Sequence, residues 1–383
     1  MKHIHYILLC MVAGGLSLTA CHKETHIKVT NDIGFERCGE LVRADVDLTG
    51  SHILVDEQGR EVNYQTVAGG IVFQANVPAS GSSVYTWKEG QPSDFEPLTT
   101  AFFLGDRRKD DFAWENDKAA YRMYGPALLP ENPSSGVDLW LKHSSQLTAD
   151  AMYRQEEGGK PYHIDYGLGI DSYKVGHAAG CGGVAIVSGG QIWPGGPFSK
   201  YEILQEGPLE TVFRLDYDSV QVGDKVLQES IRITVSAGAQ VNKAEVTFSG
   251  DIADDMQVGG GIFLHDGAGQ LNKGTYKDIT YLTYGEPATS DQGIYKIHEA
   301  QGIDASTLDF GRDFISVILP GAKEVGLYSD TKVLLKPYKA GDTLTYYFGG
   351  GWSKRDYTTD GEWENATQNT VLALDMPLKV TVE

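Results

Sequence analysis

The chain has 383 residues and a formal net charge of −20, from 32 Lys and Arg against 52 Asp and Glu. Such a surface repels nucleic acid and anionic lipid, which argues against a nucleic-acid partner. An acidic substrate stays compatible with it, because a local Arg or Lys cluster can dominate inside a cleft, and the length allows two compact domains or one large one.

The N-terminus reads as an export signal. Lys2 supplies a positive start, Tyr6 to Ala13 form a short apolar core, and Leu18-Thr19-Ala20-Cys21 is a small-residue cleavage site ending in cysteine. The apolar stretch is too short to span a bilayer permanently, so residues 1–20 are expected to be removed as a signal peptide. The cysteine at the cut makes the segment resemble a bacterial lipobox, in which the Cys21 thiol is acylated. The mature protein would then sit on a membrane without crossing it. Cleavage removes one Lys and no acid, so −20 becomes −21. With Cys10 removed and Cys21 acylated, Cys38 and Cys181 remain, either paired in an oxidising compartment or as lone thiols. Neither belongs to a zinc-type spacing.

Residues 21–30 form a polar tether. Beyond it the dominant period is two, in short alternating runs bounded by Gly, Asp, Asn and Pro, which predicts antiparallel strands. His52-Ile53-Leu54-Val55 before Asp56-Glu57-Gln58-Gly59 is one such run, and Gly70 to Val77 is another. Residues 31–95 are expected to form a small β-sandwich that ends where Glu89-Gly90-Gln91-Pro92-Ser93 interrupts the strand signals. Residues 96–383 are expected to form a larger body of longer strands. Within it the best helical pattern is Asp117 to Tyr124. Ile231–Ser236 and Ala244–Phe248 flank Ala237-Gly238-Ala239-Gln240 as a hairpin, and Tyr346–Phe348 and Leu378–Val382 read as strands. No repeat of fixed period is present, so the expected fold class is all-β, a many-stranded antiparallel sandwich.

Three segments carry a family resemblance: Trp114-Glu115-Asn116-Asp117-Lys118 into Tyr121-Arg122-Met123-Tyr124-Gly125-Pro126; His163-Ile164-Asp165-Tyr166-Gly167 through Gly169, Asp171, Tyr173, Gly176 and His177; and Glu206 to Arg214 leading into the 231–248 hairpin. Together they resemble the Bacteroidetes lipoproteins of domain-of-unknown-function family 4861 over most of the mature chain. The Gly-Pro-Leu segment and the hairpin are also similar to the β-supersandwich of galactose-mutarotase-like proteins and polysaccharide lyases. The resemblance implies a carbohydrate setting rich in uronic acid and an outer-membrane lipoprotein facing the periplasm or the cell surface. It does not supply a mechanism.

The densest group of reactive side chains is Tyr162, His163, Asp165, Tyr166, Asp171, Tyr173, Lys174 and His177, interleaved with Gly167, Gly169 and Gly176. In a strand, His163 and Asp165 share a face, and the glycines suit a loop lining a cleft. The same composition also fits a solvated surface loop. His177 precedes a glycine run without the Lys-Ser/Thr of a phosphate loop, and its imidazole is a natural proton carrier for a sugar hydroxyl. His265 follows Gly259-Gly260-Gly261 and precedes Asp266. It either lines the cleft and divides acid and base roles with His177, or caps a turn. Arg122 offers a planar fork for a uronate carboxylate, or else pairs with Glu115 or Asp117 on one short helix. Tyr124, Asp171, Tyr173, Trp193 and Trp352 are candidate substrate-binding residues, the two tryptophans as platforms for sugar rings. Asp165 with Asp171 is the one carboxylate pair that stands out for glycosidase-type chemistry.

No Gly-x-Ser-x-Gly elbow, His-Glu-x-x-His or EF-hand loop occurs, so neither a metal nor another cofactor is expected. The expected function is acid/base breakdown of uronate-containing oligosaccharides by lyase or epimerase action, with Arg122 on the carboxylate and His177 or Tyr166 taking the proton. The alternative is a non-catalytic glycan-binding lipoprotein.

Overall fold

The computed structural model describes residues 24–105, 107–128, 130, 136–177, 179–265 and 269–383. The signal-peptide reading and the lipidation site Cys21 lie outside the described residues, as does Asp266. The fold is all-β and antiparallel. No helix among the described residues is long and apolar enough to cross a membrane.

A small sandwich comes first. One sheet runs in the order Lys379–Val382, Thr25–Thr30, Ser82–Glu89, His52–Val55, Glu61–Val62, and its partner is Arg37–Ala44, Gly70–Val77, Tyr64–Val67. Alternate residues of these strands, Ile27, Val29, Leu54, Phe73, Tyr85 and Trp87 among them, bury into a core of their own. Residues 379–382, expected within the larger body, instead pair with the first strand, Ile27 opposite Val382 and Val29 opposite Val380. The chain's last strand therefore completes a sheet that its first described residues begin.

In the larger body an eight-stranded sheet runs Lys200–Gln205, Glu210–Val222, Lys225–Ser236, Asn242–Gly250, Leu344–Trp352, Arg312–Pro320, Ile279–Pro287, Gln270–Tyr276. Two five-stranded sheets share its core. One is built around Cys181–Ser188, Gln257–Phe263 and Thr331–Pro337, the other around Asp138–Lys142, Ala120–Tyr124 and Asp111–Asn116. Phe213, Ile231, Val246 and Phe348 of the large sheet meet Val258 and Leu334 of the first and Trp114, Tyr121 and Leu139 of the second in one continuous apolar cluster. Along Arg312–Pro320 the period of two is visible on both faces: Ile315, Val317 and Leu319 enter this core, while Phe314, Ser316 and Ile318 face the helix Asp360–Asp375. That helix begins with a reciprocal cap, since the Thr359 hydroxyl accepts from Glu362 N and the Glu362 carboxylate reaches back to Thr358 N at 2.7 Å. Trp363 stacks on Phe314 and donates to the Ile315 carbonyl.

The helix expected over Asp117–Tyr124 is a correction. Ala120–Tyr124 is a strand, hairpin-paired with Asp111–Asn116, and the Asn116 side chain closes the turn by accepting from Lys118 N and Ala119 N. Every residue of the strand is buried, because sheet neighbours flank it and layers cover both faces. It therefore shows neither the strand nor the helix period. The helix in this region is Ala149–Glu157. Its N-terminal amides of Thr148 and Ala149 donate to the carboxylate of Glu115, which also holds buried Lys142 at 2.5 Å. An anion at a helix start is favoured by the aligned peptide dipoles. The docking fixes Tyr153 against the site described next.

Candidate active site

The sheet containing Ala120–Tyr124 delivers a guanidinium into a ring of acids. Arg122 lies in register opposite Asp138, and Tyr124 opposite Asp111. Arg122 Nη2 and Nε donate to Asp138 Oδ2 at 2.5 and 2.9 Å, Nη2 also reaches Asp171 Oδ2 at 3.0 Å, and Nη1 reaches Asp111 Oδ2 at 3.4 Å. The Tyr124 and Tyr162 hydroxyls take further donors at 2.9 and 3.2 Å. The Arg122 side chain is 4% exposed. Neither expected role for Arg122 holds: its fork is occupied by the protein's own carboxylates, and its partners are Asp111, Asp138 and Asp171 instead of Glu115 or Asp117. A buried guanidinium must be compensated, and here three acids face it, one of which, Asp111, also stands 3.5 Å from Arg108 Nε. Burial, reinforced by the charge of Asp138 and opposed by Arg122, pushes the Asp171 carboxyl well above the ordinary carboxylate range. Burial likewise raises Asp111 against the pull of Arg122 and Arg108.

Above this ring opens a cleft of about 140 Å³ lined by Arg108, Arg122, Tyr124, Leu128, Tyr162, His163, Asp171, Tyr173, Lys174, Val175 and Asp291. His163 Nδ1 lies 2.7 Å from the Asp171 carbonyl oxygen, which can only accept, so Nδ1 carries the proton and Nε2 presents its lone pair. No hydrogen bond from the described residues occupies Nε2. Burial holds the imidazole below its usual range, favouring the neutral form. Nδ1 stands 3.7 Å from Asp171 Oδ2. An imidazole whose burial favours the neutral form, with a free nitrogen, thus sits beside a carboxyl whose burial favours the protonated form against the pull of Arg122. That is the requirement for a base and an acid working on one substrate.

Of the residues expected from sequence, Arg122, Tyr124, Asp171 and Tyr173 meet at this cleft. His265 supports its wall from behind. Its Nε2 donates to the Lys174 carbonyl at 2.7 Å, its Nδ1 contacts Glu286 Oε1 at 2.6 Å, and its ring stands edge-on to Tyr173 at 5.4 Å. Both nitrogens are committed, so His265 positions the 173–174 backbone and is not the acid/base partner of His177. His177 is exposed, and the Phe263 ring separates the two, at 6.1 Å from His177 and 5.0 Å from His265.

The rest lie elsewhere. Residues 162–168 form turns instead of a strand, so His163 and Asp165 do not share a face. Asp165 turns outward to His143 Nε2 at 2.6 Å and Gly167 N at 2.8 Å, which leaves it apart from Asp171. Tyr166 lies under the Lys160 ammonium. Trp352 is buried, donates to the Phe310 carbonyl and packs on His143. Trp193 folds onto its own hairpin and donates to the Ser188 carbonyl. Neither tryptophan lines the cleft. Cys38 is exposed and Cys181 buried, both as free thiols.

Asp111, Asp138, Tyr153, Arg108, Asp291 and Glu286 had no sequence signal, because strand pairing brings Asp111, Asp138 and Glu286 to the site, helix docking brings Tyr153, and loops bring Arg108 and Asp291. Tyr162 stood in the dense segment without a role of its own, and His163 was paired there with Asp165, whereas the structure sets it beside Asp171. With Arg122 consumed, the other cations bordering the cleft among the described residues are Lys174 and the partly exposed Arg108, whose Nε stands 3.5 Å from Asp111.

Fold and site together define an antiparallel β-sandwich protein whose polar cleft carries an imidazole–carboxyl pair. The chain belongs to the family described as Domain of unknown function (DUF4861), which it matches over residues 29–380. It is 25% identical over 417 residues to "Uncharacterized protein P7" of Formosa agariphila, with both chains covered in full. Among solved structures it is similar to a glycosyl hydrolase family 38 protein and to an alpha-mannosidase, both from Enterococcus faecalis, each at 8% identity and a TM-score of 0.45. Those matches cover 94% of this chain but 47% and 46% of theirs, so the chain spans about half the length of either.

Proposed function

We propose that the protein is an acid/base enzyme acting on a uronate-containing saccharide, with His163 Nε2 as the base and the Asp171 carboxyl as the acid. The observation that carries this reading is the pairing itself: an imidazole whose Nδ1 is fixed by a carbonyl and whose Nε2 is free, 3.7 Å from a buried carboxyl, with burial lowering the imidazole and raising the carboxyl. The cleft, at about 140 Å³, has room for one small polar ring. Tyr124, Tyr162 and Tyr173 supply aromatic walls, and Arg108 and Lys174 supply charge for a carboxylate.

In an elimination, Arg108 and Lys174 offset the uronate carboxylate and ease removal of the C5 proton. His163 Nε2 takes that proton, the electron pair forms the C4–C5 double bond, and the C4 oxygen leaves with the proton of Asp171. The imidazolium then returns a proton to the neighbouring carboxylate. Incubating the protein with uronate oligosaccharides while following ultraviolet absorbance of the unsaturated product tests the reaction. Product that disappears in His163→Gln supports it. Sugar binding without any turnover by the wild type refutes it in favour of a glycan-binding role.

Export as an outer-membrane lipoprotein anchored through Cys21 belongs to the same proposal. It rests on the Leu18–Cys21 segment, and Cys21→Ala is expected to abolish incorporation of labelled fatty acid.

A further inference from the structure

Beside the cleft lies a second hollow of about 340 Å³, lined by Phe103, Asp110, Pro126, Phe198, Ser199, Lys200 and Tyr201. Tyr201 belongs to the edge strand Lys200–Gln205 of the large sheet and is 44% exposed. One face of its ring is covered by Phe103, stacked at 4.6 Å and 25°, and Phe112 leans on it at 5.4 Å. Phe198 in turn stands edge-on to Phe103 and Phe112. The tyrosine is thus a flat aromatic surface braced from behind and open in front, with Asp110, Ser199 and Lys200 at its rim.

The hollow and the cleft share their walls. Residues 108–111 contribute Arg108 to the cleft and Asp110 to the hollow, and residues 124–128 contribute Tyr124 and Leu128 to the cleft and Pro126 to the hollow. These two segments are locked together. The Asp110 carboxylate accepts from Ala127 N at 3.0 Å, Asp110 itself adopts φ +51°, and a Cβ at Gly125 would come 2.6 Å from the Asp110 carbonyl oxygen. Close backbone approach of this kind is open to glycine alone.

We infer that the Phe103–Tyr201 hollow is a second sugar subsite, holding the ring adjacent to the one in the cleft, so that the protein takes an oligosaccharide in preference to a monosaccharide. This rests on the reading of the cleft given above. The occupant is a sugar because an open aromatic face packs on ring C–H patches while the rim groups reach hydroxyls, and because the hollow continues a polar cleft across a shared, rigid wall. A second copy of the chain is disfavoured by the net charge of −20 carried on each.

Calorimetric titration with glucuronate, galacturonate and mannuronate, each as monosaccharide and tetrasaccharide, tests the assignment on the full chain, on Tyr201→Ala, on Tyr201→Phe and on His163→Gln. The wild type is expected to prefer a tetrasaccharide at least tenfold. Tyr201→Ala is expected to lose roughly tenfold on it with monosaccharide affinity unchanged, and Tyr201→Phe to retain it. Tetrasaccharide affinity unchanged in Tyr201→Ala overturns the subsite and leaves the cleft reading standing. A Tyr201→Ala loss accompanied by full turnover in His163→Gln keeps the subsite and overturns the acid/base assignment. No binding of any probe to the wild type overturns both, and a change of oligomeric state in Tyr201→Ala assigns the surface to self-association and overturns the subsite.

Discussion

Replacing Glu229 by glutamine will make the protein more stable, and the gain will grow with pH. Glu229 sits on Lys225–Ser236 opposite Tyr217 and Phe248, fully buried, with Oε1 unpartnered among the described residues. It borders a hollow of about 10 Å³ shared with Met123, Val184, Ile186 and Ile231, space for about one water. No cation offsets it, and burial alone pushes its carboxyl up from 4.5 to about 8. A carboxyl raised on folding contributes its full share of stability below the unfolded value and loses it as pH rises through the folded value. At ~1.4 kcal/mol per tenfold change in proton concentration, the loss between pH 5 and pH 9 is about 4 kcal/mol. Glutamine is isosteric and neutral throughout, so the loss vanishes. Urea unfolding of both proteins at pH 5 and pH 9 measures the effect. The stability of Glu229→Gln relative to wild type will rise by several kcal/mol across that interval, and a difference constant to within about 1 kcal/mol would refute the reasoning.

Arg122→Met removes the cation shared by Asp138, Asp171 and Asp111 and will cost about 3–5 kcal/mol, the range for breaking a buried pair, read as a lower urea midpoint. Arg122→Lys will not restore it, since a single ammonium cannot satisfy Asp111, Asp138 and Asp171 together. Thr359→Ala removes the cap of the Asp360–Asp375 helix and will cost about 1 kcal/mol in the same assay. His265→Ala frees the Lys174 carbonyl and will raise KM more than it lowers kcat, because the residue holds the cleft wall and touches no substrate.

Strand content was legible where strands are half-buried, because burial on one face writes a period of two into the sequence: Lys225–Ser236 and Asn242–Gly250 show it. The period disappears where a strand is buried on both faces, and Ala120–Tyr124 carries no strand signal for that reason. The helix Asp360–Asp375 carried a signal that went unused, the Thr359-Asp360-Gly361-Glu362 capping pattern. At the site, Arg122, Tyr124, Asp171 and Tyr173 were legible as polar and aromatic groups set among apolar or glycine residues. Asp111 and Asp138 were not, since each becomes a partner of Arg122 only once three strands pair in register. His265 was expected to line the cleft but stands behind its wall, because Glu286 from another sheet and the Lys174 carbonyl hold both of its nitrogens.

The pairing of His163 with Asp171 is tested most directly by the pH profile of kcat/KM on a uronate tetrasaccharide, measured for wild type, His163→Gln and Asp171→Asn alongside their sugar affinities. The base must be neutral and the acid protonated. Activity will therefore rise as pH passes the His163 value, held below 6.5, and fall as pH passes the Asp171 value, raised above 3.8. His163→Gln will lose the acid limb, Asp171→Asn the alkaline limb, and each will lose about 10²–10⁴ in kcat with affinity nearly kept. Wild-type activity with both limbs intact in either variant would contradict the assignment.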